Sequence, residues 1–407
     1  MSFFSEIESG EPVEMYKLKK AYLEDTFEKK VFLSFGAYRS DEGKPWVLPV
    51  VRSLEKILSH DESLNKEYLP TLGLETFSTS ATTMLLGLDS PAIIQKRYCG
   101  IQSISGTGSL RIGAEFLANM GKKIFYVPNP TWENHKRLFL QAGFEECREY
   151  RYWNPTTHRL DFEGLIDDLD KAPQDAVVIL HVCAHNPTGA DPTPEQWNKI
   201  ANVVHKRMLF PFFDCAYQGF VTGNVIDDAY SVRLFVSLGF ELFCAQSFSK
   251  NFGLYNERIG NLTIVVNNPD VIPAIKSQIT YIVNGMYFNP PGLCARIVTY
   301  VLNNSTMYNQ WQDNVRSMSS RLLLMRKQLK EILDHLETPG NWNHLVEHSG
   351  FFSYTGLTPI QVEYMVNKYH IYMLTSGRMS ITGLNSNNVY YVAKAICEAV
   401  SLFPQIL

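Results

Sequence analysis

Lys250 stands three residues after Ser247 and eight before Arg258, in the segment Ser247-Phe248-Ser249-Lys250-Asn251-Phe252-Gly253-Leu254-Tyr255-Asn256-Glu257-Arg258. The apolar run before it, 242–248, reads as a buried strand. A lysine at the end of such a strand is partly desolvated, which lowers its pKa and leaves the amine nucleophilic toward a carbonyl. Ser247 and Arg258 can both reach an anion from the same place. A lone loop lysine is ordinarily a solvated charge, so the reading depends on what else the chain brings to that edge. The Ser-x-x-Lys spacing also occurs in serine acylases, but their Ser-Asp-Asn and Lys-Thr-Gly partners are absent here.

Three other segments carry polar residues beside apolar runs. Ser103-Ile104-Ser105-Gly106-Thr107-Gly108 opens an amphipathic stretch, 109–120, that stops at Gly121. Free N–H groups and the positive end of a helix dipole converge at such a start, and glycine lets a phosphate approach the backbone. Ser105, Gly106 and Thr107 are the candidate phosphate ligands. A dinucleotide fingerprint is excluded, because Arg111 occupies the place of its third glycine. Phe212-Phe213-Asp214-Cys215-Ala216-Tyr217 puts Asp214 at the C-terminal end of a strand, the edge where open parallel sheets bind ligands. Ala184-His185-Asn186-Pro187 follows another apolar run and offers Asn186. Each of these polar residues alone can be a helix cap. Together, a nucleophilic lysine, a phosphate cradle and a carboxylate that keeps a pyridine nitrogen protonated are what pyridoxal 5'-phosphate chemistry requires. Tyr217 and Asn186 are then the candidate partners of the ring's phenolate oxygen.

The elements that must position these residues show as an alternation. Short apolar or β-branched runs at 123–127, 176–183, 208–213, 242–248 and 261–266 alternate with longer stretches of helical spacing. That implies an α/β unit, a mostly parallel sheet with helices on both faces. The pattern changes at 307–336, one long helical stretch closed by Thr338-Pro339-Gly340. Beyond it, 350–354 and 371–374 read as strands, and 358–369 and 386–403 as helices, a smaller α+β piece.

The chain has 407 residues, against about 100–200 for a typical domain, so two or three units are expected. A chain this long buries roughly 75% of its unfolded surface and needs neither disulfide nor metal to hold its core. Thirty-seven basic against 41 acidic residues give a net charge of −4 with no block of one sign, which argues against a dedicated nucleic-acid binder. The seven cysteines form no Cys-x-x-Cys pair, which points to a reducing compartment. No apolar run approaches the 18 or so residues of a membrane span, and the N-terminal residues lack the pattern of a secretory or transit peptide. A cytoplasmic protein without membrane or nucleic-acid partners is expected.

Over essentially its whole length the sequence resembles aspartate aminotransferase of the animal cytosolic type, a fold-type-I pyridoxal phosphate enzyme. The resemblance rests on the segments above and on Gly36-Ala37-Tyr38-Arg39, Glu67-Tyr68-Leu69-Pro70, Asn129-Pro130-Thr131-Trp132-Glu133-Asn134-His135 and Ser376-Gly377-Arg378. It implies a large domain over 46–317 built on a mostly parallel seven-stranded sheet. It also implies a smaller domain over 318–407, joined by an N-terminal arm, 1–45. It makes Lys250 the residue that bonds the cofactor and moves the substrate proton, Asp214 the partner of the pyridinium nitrogen, and Tyr217 and Asn186 the holders of the phenolate oxygen. Trp132 stacks on the ring, with His135 and His181 behind Asp214. Ser105, Gly106, Thr107, Ser247 and Arg258 hold the phosphate, with Tyr68 from a second subunit. Gly36, Trp132, Asn186 and Arg378 meet the substrate, Arg378 by a planar fork on the α-carboxylate. The resemblance implies transamination of L-aspartate with 2-oxoglutarate by a homodimer with shared active sites, and no metal.

The sequence departs from that family at the substrate's distal carboxylate. Where the family places an arginine from the neighbouring subunit, this chain has Asn284, and from 277 to 295 it has no Lys or Arg. Phe288 replaces a small polar residue nearby. Leaving a buried carboxylate without its fork costs about 3 to 5 kcal/mol, roughly 10² to 10⁴ in rate. Cofactor chemistry is expected to survive and dicarboxylate efficiency to fall. Alternatives are a shift toward neutral or aromatic amino acids, a racemase, for which no acid on the second face is evident, or a slow or non-catalytic cofactor-binding paralogue. Met15 and Tyr16, where the family's flap carries other apolar residues, imply altered closure.

Overall fold

The structure, a computed structural model, describes residues 2–10 and 13–404. Seven strands form its central sheet: β1 (Tyr98–Ile104), β2 (Ile124–Asn129), β3 (Glu146–Arg151), β4 (Val177–His181), β5 (Phe210–Cys215), β6 (Leu242–Ser247) and β7 (Ile259–Val265). Their spatial order is β1-β7-β6-β5-β4-β2-β3. From β6 to β3 every neighbouring pair is parallel, and β7 runs antiparallel to both β6 and β1.

Alternate residues of each central strand pack into different cores, as the two-residue period of a strand requires. Val178, Leu180, Phe213 and Cys244 join Trp197, Ile200 and Phe235 on one face. Val177, Ile179, Phe212 and Phe243 join Leu110, Phe116 and Leu117 on the other. Both faces are covered, so strands such as Val177–His181 are buried throughout. The helix Ser105–Asn119 approaches the sheet closely at Gly113, where a Cβ would lie 2.6 Å from Phe212 Cζ.

The smaller unit has two short sheets. Phe352–Tyr354 pairs antiparallel with Arg378–Ser380, and Val31–Phe32 pairs parallel with Ile371–Tyr372. The helices Pro359–Tyr369, which starts with a Thr358–Gln361 capping box, and Val389–Leu402 complete it. The N-terminal segment is tied to this unit as well. Asp25 accepts hydrogen bonds from Tyr372 Oη and His370 Nδ1, both at 2.7 Å, and Glu14 accepts from the Thr375 N–H at 2.7 Å.

The helix Ser305–His335, about 46 Å long at 1.5 Å per residue, runs along both units, and the boundary expected at 317/318 falls inside it. Its buried Trp311 donates from Nε1 to the carbonyl of Asn251, beside Lys250, at 2.8 Å. Its buried Arg326 donates to the carbonyls of Leu345, Ser349, Gly350 and Phe352. Among the described residues no helix is long and apolar enough to cross a membrane.

Candidate active site

The register of β7 assembles a phosphate-sized cradle. Ile259 pairs with Ile104 and Gly260 with Ser247, so Ser105, Ser247 and Arg258 meet at one point of the sheet's rim. Gly260 is required there, because a Cβ would sit 2.4 Å from the Ser105 carbonyl carbon. Ser105 Oγ lies 3.1 Å from Ser247 Oγ and 3.0 Å from Ser249 Oγ, and Arg258 Nη1 donates to Ser249 Oγ at 3.3 Å. The helix starting at Ser105 has no side-chain cap, which leaves the first-turn N–H groups of Gly106 and Thr107 for an external acceptor. At Gly106 a Cβ would come within 3.1 Å of Ser247 Cβ. Three hydroxyls, a guanidinium and a free helix N-terminus suit a phosphate dianion.

Lys250 lies half-buried three residues past the end of β6, with Nζ 5.0 Å from the centre of the Tyr217 ring. Burial pushes its pKa down to about 8, with Arg258 acting in the same sense and Asp214 opposing. The loop is pinned through Asn251, whose Nδ2 donates to the Gln218 carbonyl at 3.2 Å and whose carbonyl receives Trp311. Asp214, the penultimate residue of β5, lies beside His181, its register partner on β4. Its Oδ2 is 3.1 Å from His135 Nε2, and His135 Nδ1 is 2.8 Å from Thr131 Oγ1. Burial alone would raise the pKa of Asp214, but His135 and Lys250 hold it below the ordinary value, so the carboxylate stays ionised. His181 is pushed down to about 3 by burial, and its Nδ1 accepts from the Asn186 N–H at 3.2 Å. Trp132 meets His135 edge to face, with ring centres 5.4 Å apart.

Arg378 is a further charged group of this site. Its Nη2 donates to the Ser34 carbonyl at 2.8 Å, its Nη1 lies 3.4 Å from Asn186 Oδ1, and its Cζ is 4.3 Å from the centre of the Phe352 ring. Met15 Sδ is 3.9 Å from Nη2. Its buried Nε has no partner, and burial lowers its pKa, so an anion that satisfies the guanidinium is favoured. Gly36 packs on the far edge of Phe352, where a Cβ would sit 2.5 Å from Cζ.

Lys250, Asp214, Tyr217, Asn186, Ser105, Gly106, Thr107, Ser247, Arg258, Trp132, Gly36 and Arg378 thus fall around the rim of one sheet and the adjoining small unit. Tyr68 and Asn284 do not. Tyr68 is 75% exposed, and its described ring contact is with Phe288, at 5.2 Å. Asn284 is exposed in the last turn of the helix Ile272–Tyr287. Sequence reasoning missed Ser249, which bridges Ser105 and Arg258, and Phe352, which supports Arg378. Ser249 stands beside Lys250 in the segment already singled out, whereas nothing local marks Phe352 as more than a strand residue.

Residues 28–396 match the family "Aminotransferase class I and II". The chain is 52% identical over 406 residues, 98% of each protein, to "Aspartate aminotransferase, cytoplasmic" of Gallus gallus. The cytoplasmic aspartate aminotransferase of Saccharomyces cerevisiae superposes with a TM-score of 0.96 at 41% identity, covering 98% of this chain and 99% of that one. An aromatic-amino-acid aminotransferase from Burkholderia pseudomallei, solved covalently bound to pyridoxal phosphate, does so with a TM-score of 0.95 at 36% identity, covering 98% and 100%. A family match spanning most of the chain, together with these full-length likenesses, makes this protein a member of the class I and II aminotransferases.

Proposed function

We propose that the protein is a cytoplasmic, pyridoxal-phosphate-dependent aminotransferase that takes L-aspartate and 2-oxoglutarate to oxaloacetate and L-glutamate, with dicarboxylate preference weakened at Asn284. The observation that carries the reading is Lys250, with a pKa near 8, next to ionised Asp214 and across from a buried, incompletely paired Arg378. The residues present fit the cofactor. The hydroxyl and helix-start cradle suits its phosphate, Asp214 its protonated ring nitrogen, Tyr217 and Asn186 its phenolate oxygen, Trp132 its flat face and Lys250 its carbonyl.

When bound, pyridoxal phosphate supplies a carbonyl for amine capture and an electron sink for the charge left on the substrate's Cα. Lys250 takes a proton from that Cα and returns one on the other side of the transfer, a task suited to an amine with a pKa close to the working pH. Asp214, kept ionised by His135, holds the ring nitrogen's proton. Arg378 orients the α-carboxylate, and Ser34 and Phe352 keep its guanidinium in plane. The Ser105, Ser247, Ser249 and Arg258 cluster fixes the phosphate and with it the ring's position. Tyr68 and Asn284 serve the site of a second copy in this reading, which makes the working unit a homodimer.

Asn284 and the Tyr68–Phe288 aromatic pair favour a second reading, in which the preferred amino acid has a neutral or aromatic side chain. One experiment decides between them: single-turnover amino transfer by cofactor-loaded protein, followed by the cofactor's absorbance, with aspartate, glutamate, phenylalanine, tyrosine and alanine, beside Asn284→Arg. Aspartate faster by orders of magnitude in the wild type refutes the second reading. A wild type that barely reacts with aspartate and is rescued by the arginine supports weakened dicarboxylate preference. If no amino acid changes the absorbance of protein shown to hold the cofactor, the aminotransferase reading fails.

A further inference from the structure

The loop between β4 and the helix Pro194–Lys206 carries Asn186, which the reading above places against the cofactor's phenolate oxygen. The loop starts in a strained conformation. Ala184 has φ +50°, a left-handed value that few residues other than glycine adopt. The three successive N–H groups of Ala184, His185 and Asn186 all donate to side chains. The first two meet Asp191 Oδ2 and Oδ1 at 2.6 and 2.9 Å, and the third meets His181 Nδ1 at 3.2 Å.

A carboxylate at 191 calls for an explanation. The helix that follows is capped by Thr193, which forms a capping box with Gln196, so Asp191 is not its cap. Asp191 is half-buried, and burial pushes its pKa up to about 6, against the pull of the His185 and Ala184 N–H groups. Nearby Asp228 acts in the same sense as burial, and Arg326 opposes it. An asparagine would fit the same space with no charge to desolvate. It would also offer one acceptor atom where two N–H groups need one each. Successive N–H groups beside a left-handed residue form a concavity suited to an anion, and the two oxygens of Asp191 fill it.

The rest of the turn is fixed by uncharged contacts. The His185 ring stacks on Tyr152 with centres 3.8 Å apart, and its Nδ1 lies 2.8 Å from Thr188 Oγ1. Tyr152 Oη donates to the Ala190 carbonyl at 2.7 Å, and the Ser349 N–H donates to the Gly189 carbonyl at 3.0 Å. Directly before Asn186 the backbone relies on a charge instead. The Asn186 amide turns its Oδ1 toward Arg378 Nη1, 3.4 Å away, which leaves its Nδ2 to donate to the cofactor.

We propose that Asp191 is a positioning residue of the cofactor site: by holding the N–H groups of Ala184 and His185 it sets the Asn186 amide against the phenolate oxygen. The proposal deepens the function proposed above and rests on it. A hydrogen bond donated to the phenolate oxygen draws its charge away from the neighbouring nitrogen, so the lysine-bound cofactor loses its proton at lower pH. The pH midpoint of the cofactor's absorbance therefore reports where Asn186 stands.

The test is that midpoint, read by absorbance titration of the full, cofactor-loaded chain in wild type, Asp191→Asn, Asn186→Ala and the double variant, beside thermal unfolding of each. Asp191→Asn is expected to raise the midpoint by about 0.5 pH unit or more, in the same direction as Asn186→Ala. In the double variant Asp191→Asn is expected to add nothing to the shift, because it acts through the amide already removed. If Asp191→Asn does not fold, the same substitution is made in an Ala184→Gly background, where glycine takes φ +50° without strain, and is read against Ala184→Gly alone. A midpoint unmoved by the loss of Asp191, whatever the unfolding temperature, overturns the proposal, and so does a shift that adds in full to that of Asn186→Ala. Neither of these results touches the aminotransferase reading. Absence of any lysine-bound cofactor absorbance in the wild type overturns both.

Discussion

Lys250, Asp214 and Arg378 are held by contacts within one chain, whereas Asn284, Phe288 and Tyr68 are exposed, with Tyr68 and Phe288 meeting edge to face. Around the first three, Asp214 meets His135, Arg378 donates to the Ser34 carbonyl, and the loop of Lys250 is pinned through Asn251. Around the second three, the side chains are exposed and no basic residue occurs from 277 to 295. In the proposed reading, the difference makes reaction and selectivity separable. The proposed chemistry rests mainly on the rim of the sheet that also holds the core, so changing it disturbs the fold. The proposed selectivity rests on a helix end whose exposed side chains can change without cost to the core.

Lys250→Ala tests the first region at its centre. Amino transfer is expected to fall by about 10⁴-fold or more in single turnover while the cofactor still binds without a covalent bond. Asn284→Arg tests the second region, and kcat/KM for aspartate is expected to rise by about 10² to 10⁴, with phenylalanine and alanine unaffected. An equal rise for all three would break the separation. Arg378→Lys removes the fork but keeps the charge, and KM is expected to rise by about 10² for every amino acid regardless of side chain. A loss confined to aspartate would place Arg378 on the distal carboxylate instead.

The smallest effect concerns pH. Lys250 has a folded pKa near 8 instead of 10.5, so its amine is protonated below pH 8 and free above it. The rate at which cofactor-free protein captures pyridoxal phosphate is expected to rise about tenfold between pH 7 and pH 9. Asp214 raises the pKa of Lys250, so Asp214→Asn is expected to move that midpoint to lower pH. A midpoint near 10 would mean that the amine is solvated.

The central strands were legible because they are covered on both faces and read as unbroken apolar runs. The edge strands β1 and β3 were not. β3, Glu-Cys-Arg-Glu-Tyr-Arg, carries the charges that an edge strand needs against aggregation, and these mask its strand character. The amphipathic helix read at 109–120 begins four residues earlier, at Ser105, because the small polar residues before it form its first turn. Lys250, Asp214 and the phosphate cradle stood out because each follows or begins a regular element. The contact of Arg378 with Phe352 and Ser34 joins positions distant along the chain, and no local pattern encodes such a meeting.

The reversed direction of β7 has one more consequence. Because β7 enters the sheet at the rim where β1 and β6 leave it, the chain must turn back within 248–258, and that short return loop spans the distance from amine to guanidinium. The loop works as a caliper whose setting is its residue count. Equal-length substitutions at the exposed Asn256 and Glu257 leave the setting alone, while buried Phe252 and Leu254 and the positive-φ Gly253 anchor the loop, and one inserted residue would shift Arg258 from the serine cluster or pull Lys250 from its place beside Asp214. At this point of the molecule length is constrained throughout, and composition is free only at the loop's exposed positions.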